Sequence, residues 1–261
     1  NALPASLAIE YFHNFTLIHD DVMDNAPVRR GFKTIHEKYN LNTAILSGDV
    51  LMIKACEYLS KVEAIYFKTV FDVYTKTAIE VCEGQQYDID FETKDAVTHD
   101  EYIEMIRLKT SVLLAASMKI GAILGGAGET DAALLYTYAE NLGIAFQIQD
   151  DILGIWGEST KTGKPKGNDL LRRKKSMPIL HGLANPAVGA QLAALMARPD
   201  FGPGQLPAAL ALLEEAGSRR YSSAQMIHWH EAARASLREA LGGSAETPAL
   251  WALMESLLER E

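Results

Sequence analysis

The sequence predicts an all-α protein, because apolar residues recur at helical spacing along most of its 261 residues. It contains no run of strand-like alternation with hairpin turns and no repeat with a period of 20 to 50 residues. Glycine, proline, asparagine and threonine stand between the apolar stretches, where they end or cap helices. We therefore expect about ten helices in a single domain spanning residues 1–261.

The first predicted helix, residues 5–24, ends before Pro27, which cannot extend a helix and restricts the residue before it. A basic loop follows at residues 28–33. We expect Thr34 and Asn42 to cap the next two helices, and Thr98 to start a helix whose first turn is acidic. The predicted helices are, in order, residues 5–24, 34–39, 42–59, 64–92, one starting at 98, 111–124, 130–155, 177–184, 186–197, 205–216, 223–241 and 248–261, with a polar, lysine-rich loop at 157–169. Gly143 inside one of them favours close helix packing at that point.

The overall composition argues against several classes of protein. A net charge of -9 argues against a nucleic-acid binder, because such proteins hold phosphates with clustered lysine and arginine. Cys56 and Cys82 stand in unrelated contexts, so neither a disulfide framework nor a zinc site is predicted, and we expect a reducing cytoplasm. No apolar run has the roughly 18 residues of a membrane span, and no leader pattern opens the chain. Since the chain runs almost directly into a helix, we expect the natural protein to have residues before Asn1.

Two groups of aspartates are the candidate metal ligands. Asp20 and Asp24 lie about 40° apart on one helix face, with Asp21 beside them, so these carboxylates can share a cation. A second pair, Asp150 and Asp151, closes another long apolar helix. A solvated acidic face is the alternative, but the apolar neighbours of both groups favour a partly buried, cation-filled site. We infer that the two groups face each other across a cavity and hold Mg²⁺, which prefers oxygen ligands and completes its shell with water and substrate phosphate.

Basic residues that can hold the same phosphates follow each acidic group in the chain. Each of them alone is more often a surface charge, but their placement just beyond the carboxylates favours phosphate binding. The candidates are Arg29, Arg30, Lys109, Lys164 and Lys174. Gln147 lies in an apolar helix, where it either bonds a neighbouring helix or points at the ligand. The bond to a neighbouring helix is the more common case, and Gln147 is a better ligand candidate than Gln149 because Asp151 lies four residues on along the same face.

Together these residues resemble the trans-isoprenyl diphosphate synthases, also called polyprenyl synthetases. Asp20, Asp21 and Asp24 followed by Arg29-Arg30-Gly31 are similar to the family's first aspartate-rich motif, and Asp150-Asp151-Ile152-Leu153-Gly154 is similar to its second. The other elements follow in the family's order, namely Gly48-Asp49, Gly84-Gln85 with Asp88, Lys109-Thr110, Phe146-Gln147, Gly163-Lys164 and Lys174 with Ser176. The resemblance extends from His13 to Pro178, and the later residues add only compatible helices.

The resemblance implies an antiparallel helical bundle around a central cavity and a Mg²⁺-dependent prenyltransferase, with three ions in the substrate complex. An allylic diphosphate ionises, the double bond of isopentenyl diphosphate attacks the carbocation, and pyrophosphate leaves and takes the final proton. By similarity Asp20, Asp24 and Asp150 are direct metal ligands, supported by Asp21 and Asp151. The resemblance places the allylic diphosphate on Arg29, Lys109, Lys164, Lys174 and Gln147, isopentenyl diphosphate on His13 and Arg30, and the reacting carbons beside Thr110 and Phe146.

The chain departs from the family pattern at two places. Gly154 stands where the family usually has the last aspartate of the second motif, so we expect one supporting carboxylate to be lost without loss of activity. A Gly-Lys-x-Arg element that helps to bind isopentenyl diphosphate is missing from residues 1–12, which agrees with residues preceding Asn1.

Product length is predicted from the helix that bears the first motif, since it should line the tunnel that receives the growing chain. Phe15 is bulky, Thr16 is small and Phe12 lies deeper. With an aromatic ring at the position of Phe15 and none at that of Thr16, the chain resembles the short-chain members of the family that make a C20 product. A C15 product is the alternative that stays open. The alternative is that both rings only pack in the bundle.

Two rival functions stay open. A class I terpene cyclase uses the same helical cavity and metals, but Arg29, Lys109 and Lys164 suit two diphosphates rather than one. A catalytically silent subunit keeps the fold and supports a partner, and Gly154 favours it while the intact first motif does not. The resemblance also implies a homodimer.

Overall fold

The computed structural model describes residues 2–157, 166–242 and 248–258. Its contacts divide the chain into two units, residues 1–78 with 116–133 and residues 79–115 with 134–261. Each unit is described by itself below, and the single domain expected from the sequence stays a prediction. No helix among the described residues is long and apolar enough to cross a membrane.

The described residues are mostly helical, which confirms the all-α fold. The helices are α1 (Leu3–Met23), α2 (Ile35–Lys38), α3 (Leu41–Leu59), α4 (Ala64–Thr93), α5 (His99–Ile106), α6 (Val112–Leu124), α7 (Glu129–Trp156), α8 (Asn168–Leu171), α9 (Met177–Ala184), α10 (Gly189–Met196), α11 (Leu206–Glu215), α12 (Ser218–Ala240) and α13 (Pro248–Leu258). A π-helical turn, Arg107–Ser111, joins α5 to α6. Two short strands, β1 (Val28–Arg29) and β2 (Phe32–Lys33), form an antiparallel hairpin.

The hairpin corrects the expectation of a plain loop at residues 28–33. Val28 pairs with Lys33 and Arg29 with Phe32. The two residues between the strands, Arg30 and Gly31, have φ angles of 53° and 81°. Positive φ at both central positions defines the type I′ turn that matches the twist of a hairpin. Strands of two residues are too short to show the alternation by which a strand is predicted, so this hairpin was missed.

The first unit is held by α1 packed on α3. The buried face of α1 carries Ala5, Ala8, Phe12 and Phe15, at steps of three and four residues that keep them on one side of the helix. The buried face of α3 carries the small residues Ala44, Gly48 and Ala55, which let the two helices approach closely. A Cβ added at Gly48 would lie 2.3 Å from the Nε2 atom of His19, the residue before the first motif.

The second unit contains two apolar clusters. The first is formed by Phe91, Tyr102, Met105, Ile106, Ile144, Ile148 and Met177, from α4, α5, α7 and α9. The second is formed by Ile155, Leu170, Ile179, Leu192, Met196, Ala209 and Leu213, at the end of α7 and in α8 to α11. Since α7 and α9 contribute to both clusters, the end of α7 that carries Asp150 and Asp151 is packed from two sides.

Side-chain caps fix the starts of α3 and α5, and only the cap of α5 was predicted correctly. Thr98 and Glu101 form a capping box at the start of α5, as the acidic first turn predicted. The cap of α3 is Asn40, whose side chain accepts from the backbone N–H of Thr43, so the prediction of Asn42 is wrong. α12 begins at Ser218, five residues before the predicted start, because the left-handed Gly217 already ends the preceding turn.

Candidate active site

The first acidic motif lies at the carboxyl end of α1. Asp20 and Asp21 are in its last turn and Asp24 is its C-cap. Carboxylates are unfavourable at this end of a helix, where the macrodipole is negative, so a cation is needed there. Arg29 supplies one: its Nε donates to Oδ1 of Asp21 at 2.8 Å and its Nη2 donates to Oδ2 of Asp20 at 2.9 Å. The hairpin therefore places a basic residue directly between two predicted metal-binding aspartates.

The two aspartates differ in burial. Asp21 is 6% exposed, while the side chain of Asp20 is 20% exposed. Burial raises the pKa of Asp21 above its ordinary value, and the hydrogen bond and charge of Arg29 oppose that shift. Burial lowers the pKa of His13, and the positive charges of Arg30 and Arg29 lower it further. His13 thus lies within electrostatic reach of both arginines.

The three residues predicted to set product length lie on α1, one to two turns before Asp20. Phe12 is 1% and Phe15 is 8% exposed, and their ring centroids are 5.5 Å apart. Phe12 also meets Tyr74 edge to face, and Phe15 meets His19 in the same way at 4.7 Å. The hydroxyl of Thr16 donates to the carbonyl of His13. The two rings are therefore fixed by neighbours on more than one side.

The second acidic motif ends α7, and its two aspartates have opposite surroundings. Asp150 is exposed, whereas Asp151 is 6% exposed. Tyr102 donates to Oδ2 of Asp151 at 2.6 Å, and the backbone N–H of Met177 donates to the same oxygen at 2.9 Å. Burial, and after it the charge of Asp169, raises the pKa of Asp151 to about 7, although these hydrogen bonds lower it. Asp151 therefore joins α7 to α5 and to the start of α9.

Gln147 connects Asp151 to the next predicted site residue. Its Nε2 donates to Oδ1 of Asp151 at 3.2 Å, and its Oε1 accepts from the hydroxyl of Thr110 at 3.1 Å. The first bond stays within α7 and the second reaches the π-turn of the same unit, so this polar residue in an apolar helix has protein partners for both ends of its amide. Phe146, its neighbour in the chain, is half-buried on α7.

Lys109 and Thr110 lie in the π-helical turn, which glycines from two other helices contact. A Cβ added to Gly84 on α4 would lie 2.2 Å from the backbone nitrogen of Lys109. A Cβ added to Gly143 on α7 would lie 2.8 Å from Cα of Ser111, which confirms the close packing predicted there. The ammonium of Lys109 donates to Asp88 on α4. π-turns are rare and often occur at functional sites, and here the two glycines leave space for the wider turn.

Of the three remaining basic residues predicted for the site, the structure describes two. Lys174 is exposed in the turn after α8, and its backbone N–H donates to the carbonyl of Asp169 at 2.9 Å. Arg30 is exposed at the tip of the hairpin. Lys164 and Gly163 lie outside the described residues.

The structure thus brings together Asp20, Asp21 and Arg29 in the first unit, and Thr110, Gln147 and Asp151 in the second. Sequence reasoning missed two partners of Asp151, namely Tyr102 and Asp169. Nothing in the sequence distinguishes Tyr102 from other tyrosines on helix faces, although a Tyr is often buried with its hydroxyl bonded. Asp169 stands at the end of the predicted polar loop, where an acidic residue among lysines was the available signal.

The donor chemistry of both motifs fits Mg²⁺, because each offers carboxylate oxygens and no sulfur or imidazole. Within the residues that the structure describes, no group of three or more His, Cys, Asp or Glu side chains is arranged to hold a metal ion alone.

Comparisons with known proteins agree with this chemistry. A family model described as Polyprenyl synthetase matches residues 1–213. The chain is 40% identical over its whole length to a geranylgeranyl diphosphate synthase from Methanosarcina mazei, of which it covers 80%. It is 41% identical over 84% of its length to a geranylfarnesyl diphosphate synthase from Natronomonas pharaonis, and it spans 63% of that relative.

Among solved structures, the chain is similar to a geranylgeranyl pyrophosphate synthetase from Pyrococcus horikoshii Ot3. The TM-score is 0.89 at 35% sequence identity, and the match covers all of this chain and 80% of the other. The chain belongs to the polyprenyl synthetase family, which confirms the family, the all-helical fold and the prenyltransferase class expected from its sequence.

Proposed function

We propose that this protein condenses isopentenyl diphosphate with an allylic diphosphate in a Mg²⁺-dependent reaction, giving a short all-trans prenyl diphosphate and pyrophosphate. The observation that carries the proposal is the position of Arg29 between Asp20 and Asp21. A metal diphosphate needs carboxylates for the metal and a guanidinium for the phosphate oxygens within one small volume. This end of α1 offers both, on rigid elements.

We assign Asp20, Asp24 and Asp150 as the direct metal ligands. Burial and hydrogen bonding support this choice, because Asp151 is buried with protein donors on both of its oxygens. Asp21 is likewise buried and holds Nε of Arg29. Asp21 and Asp151 are therefore supporting residues that fix the walls of the site. When bound, Mg²⁺ would neutralise the diphosphate oxygens and so make the diphosphate a better leaving group.

The basic residues of the chain would bind and orient the two diphosphates. Arg29, Lys109, Lys164 and Lys174 are assigned to the allylic diphosphate, and His13 and Arg30 to isopentenyl diphosphate. The lowered pKa of His13 keeps its ring neutral, so it suits a hydrogen bond more than an ion pair with phosphate. The departing pyrophosphate is the base for the last proton, and no side-chain base is assigned.

Thr110 and Phe146 are assigned to positions beside the reacting carbons. The bond from Thr110 to Gln147 supports this assignment, because it fixes the hydroxyl of a residue in the π-turn. A fixed hydroxyl and a half-buried ring can shield a carbocation from water while leaving its approach to the double bond open.

The C20 product is the length we propose, with C15 next. Phe12 and Phe15 support it as a closed floor on α1, since both are buried and held by aromatic neighbours. The relatives named above as geranylgeranyl diphosphate and pyrophosphate synthases agree with this length. The relative named as a geranylfarnesyl diphosphate synthase makes a longer product the competing outcome.

The decisive experiment supplies the purified protein with Mg²⁺, isopentenyl diphosphate and labelled allylic primers of C5, C10 and C15, and sizes the products. We expect elongation that requires isopentenyl diphosphate. Turnover of the allylic diphosphate without it would instead identify a terpene cyclase, and no product with any primer would favour a silent subunit.

Two variants test whether both motifs serve one reaction. Asp20→Asn and Asp150→Asn should each lower kcat by about two orders of magnitude or more, and the double variant should lose little beyond the worse single one. The matched control is Asp200→Asn, since Asp200 is exposed and its ion pair is with the exposed Arg198. Additive losses would show that the two motifs act separately.

A homodimer completes the proposal, and an apolar stripe on α3 supports it. Leu46, Val50 and Ile53 follow at steps of four and three residues and are 64%, 58% and 64% exposed. Contiguous exposed apolar surface of this kind commonly marks a protein contact. Light scattering should give twice the mass of the chain, and Val50→Glu should give the single mass.

We also assign the protein to the cytoplasm, which two free, exposed cysteines support.

A further inference from the structure

The side chain of Asp169 packs directly against Gly154 on α7. A Cβ added to Gly154 would lie 2.2 Å from Oδ2 of Asp169 and 2.6 Å from its Cγ. Asp169 is only 7% exposed, so its carboxylate is not a surface group that happens to lean on the helix. The carboxylate fills the volume that any side chain at position 154 would need.

Asp169 is also close to the buried carboxylate of the second motif. Gly154 lies three residues after Asp151, on the same face of α7. The charge of Asp169 raises the pKa of Asp151, and it contributes, after burial and Asp151, to the raised pKa of Tyr102. The carboxylate of Asp169 therefore lies within electrostatic reach of both Asp151 and Tyr102.

The backbone around Asp169 connects α7 to the turn that carries Lys174. The N–H of Gly167 donates to the carbonyl of Ile155 at 3.1 Å, which ties the start of α8 to the end of α7. The carbonyl of Asp169 accepts from the N–H of Lys174 at 2.9 Å. The side chain of Asp169 contacts Gly154, and its backbone carbonyl binds the N–H of Lys174. Asp169 therefore links α7 to the turn that carries this basic residue.

We propose that Asp169 is a positioning residue of the second acidic motif: its carboxylate takes the place of the one that the motif lacks at Gly154 and holds the Lys174 turn against α7. The missing side chain at Gly154 then does not weaken the motif, because it leaves the space that the carboxylate of Asp169 requires. The role of Lys174 in this inference rests on the proposed function, whereas the contact itself does not.

A double-mutant cycle tests the contact through melting temperature. Gly154→Ala should lower the Tm by about 5 °C in the wild-type background, because the added methyl displaces Asp169. In the Asp169→Ala background the same change should lower it by less than half as much. Gly121→Ala is the matched control, since Gly121 lies in α6 with no atom within 4 Å of an added Cβ. Equal effects of Gly154→Ala in both backgrounds would overturn the contact.

A ligand-binding arm tests positioning separately from stability. Asp169→Ala should raise the KM for the allylic diphosphate about tenfold while the KM for isopentenyl diphosphate changes less than about twofold. Asp169→Asn, which keeps the shape, should lie nearer to the wild type. Equal changes in both KM values, or none in either, would overturn the positioning role.

The same positions can be tested without turnover. MgCl₂ with sodium pyrophosphate should raise the Tm of the wild-type protein and of Asp200→Asn more than that of Asp169→Ala. If the wild-type protein makes no prenyl product, the proposed function fails, yet this shift and the double-mutant cycle still decide whether Asp169 holds the turn. An equal shift in all three proteins would contradict the proposal.

Discussion

Gly84 on α4 meets the backbone of Lys109 so closely that the π-turn has no room for any side chain at position 84. An added Cβ would lie 2.2 Å from the Lys109 nitrogen, 2.6 Å from the carbonyl carbon of Leu108 and 2.7 Å from Cα of Lys109. All three atoms belong to the backbone, so no side chain can move aside to relieve the clash.

Gly84→Ala should therefore disrupt the π-turn and lower prenyl transfer. We expect the free energy of unfolding to fall by about 1–3 kcal/mol or more, despite the better helix propensity of alanine. Urea unfolding followed by circular dichroism measures the loss. Gly121→Ala is the control and should be neutral or stabilising, since an added Cβ there meets nothing within 4 Å. A stable and fully active Gly84→Ala protein would contradict the close contact.

Arg29→Lys should be nearly as damaging as Arg29→Ala. A guanidinium donates from two nitrogens to two carboxylates at 2.8 and 2.9 Å, and a single ammonium does not reproduce that fork. We expect kcat/KM to fall by about 100-fold or more in both variants. Steady-state kinetics at saturating Mg²⁺ provides the measurement.

The control for Arg29 is Arg198→Lys. Arg198 uses the same Nε and Nη2 atoms toward Asp200 at 2.9 and 2.8 Å, but both groups are exposed. Its replacement should leave kinetics unchanged, since exposed ion pairs contribute little. If Arg29→Lys retained wild-type activity, the bridge between Asp20 and Asp21 would not matter for catalysis.

Stability of the metal-free protein should fall as the pH rises toward neutrality because of Asp151. Its pKa is about 7 in the folded protein and 3.8 in the ordinary case, so the folded state keeps a proton that the unfolded chain loses between these values. The contribution of this proton to stability is complete below 3.8 and is lost as the pH rises through about 7. Urea unfolding at a series of pH values should show the fall in the wild type and lack this component in Asp151→Asn.

Tyr102→Phe should extend the loss of stability caused by deprotonation of Asp151 to higher pH. The hydroxyl of Tyr102 favours the ionised form of Asp151, so its removal raises the pKa of Asp151 further. We also expect a general destabilisation of about 1–3 kcal/mol from the lost donor. Tyr138→Phe is the matched control, because the hydroxyl of Tyr138 donates to the backbone carbonyl of Leu250 rather than to a carboxylate. The same pH profile in both variants would argue against the Tyr102 bond.

Phe15→Ala should lengthen the product, and Thr16→Phe should shorten it. Phe15 is 8% exposed one turn before the motif, so its truncation opens space along α1 and destabilises the protein by about 3–5 kcal/mol. Chromatography of the dephosphorylated products measures the length. Phe91→Ala controls for destabilisation alone, since Phe91 is also buried, at 4% exposure, and lies in the second unit. Unchanged products in both α1 variants would leave the rings as core residues only.

The sequence predicted most helices because their ends are decided locally. The helix predicted at residues 177–184 is α9 to the residue, with Pro178 in its first turn. The capping box at Thr98 was equally visible. The start of α12 was missed because residues 218–222 carry no strong signal and the turn at Gly217 needs a backbone conformation that sequence does not display.

Tertiary contacts explain what the sequence could not predict in the site. The π-turn forms because Gly84 and Gly143, from two helices distant in sequence, leave room for it. The sequence around Lys109 has no pattern that indicates such a turn. The aspartates and basic residues were identified from type and spacing, but their partners were not. Tyr102 and Asp169 reach Asp151 only after α5, α7 and α8 have packed.

The bridge made by Arg29 has a thermodynamic consequence for ligand order. Because one guanidinium already balances the charge of Asp20 and Asp21, a divalent cation arriving alone gains less than it would at an uncompensated pair. An anion that draws the guanidinium toward itself raises the affinity for the cation, and by linkage the cation raises the affinity for the anion to the same degree. Cation and anion should therefore load this protein cooperatively, each weakly on its own.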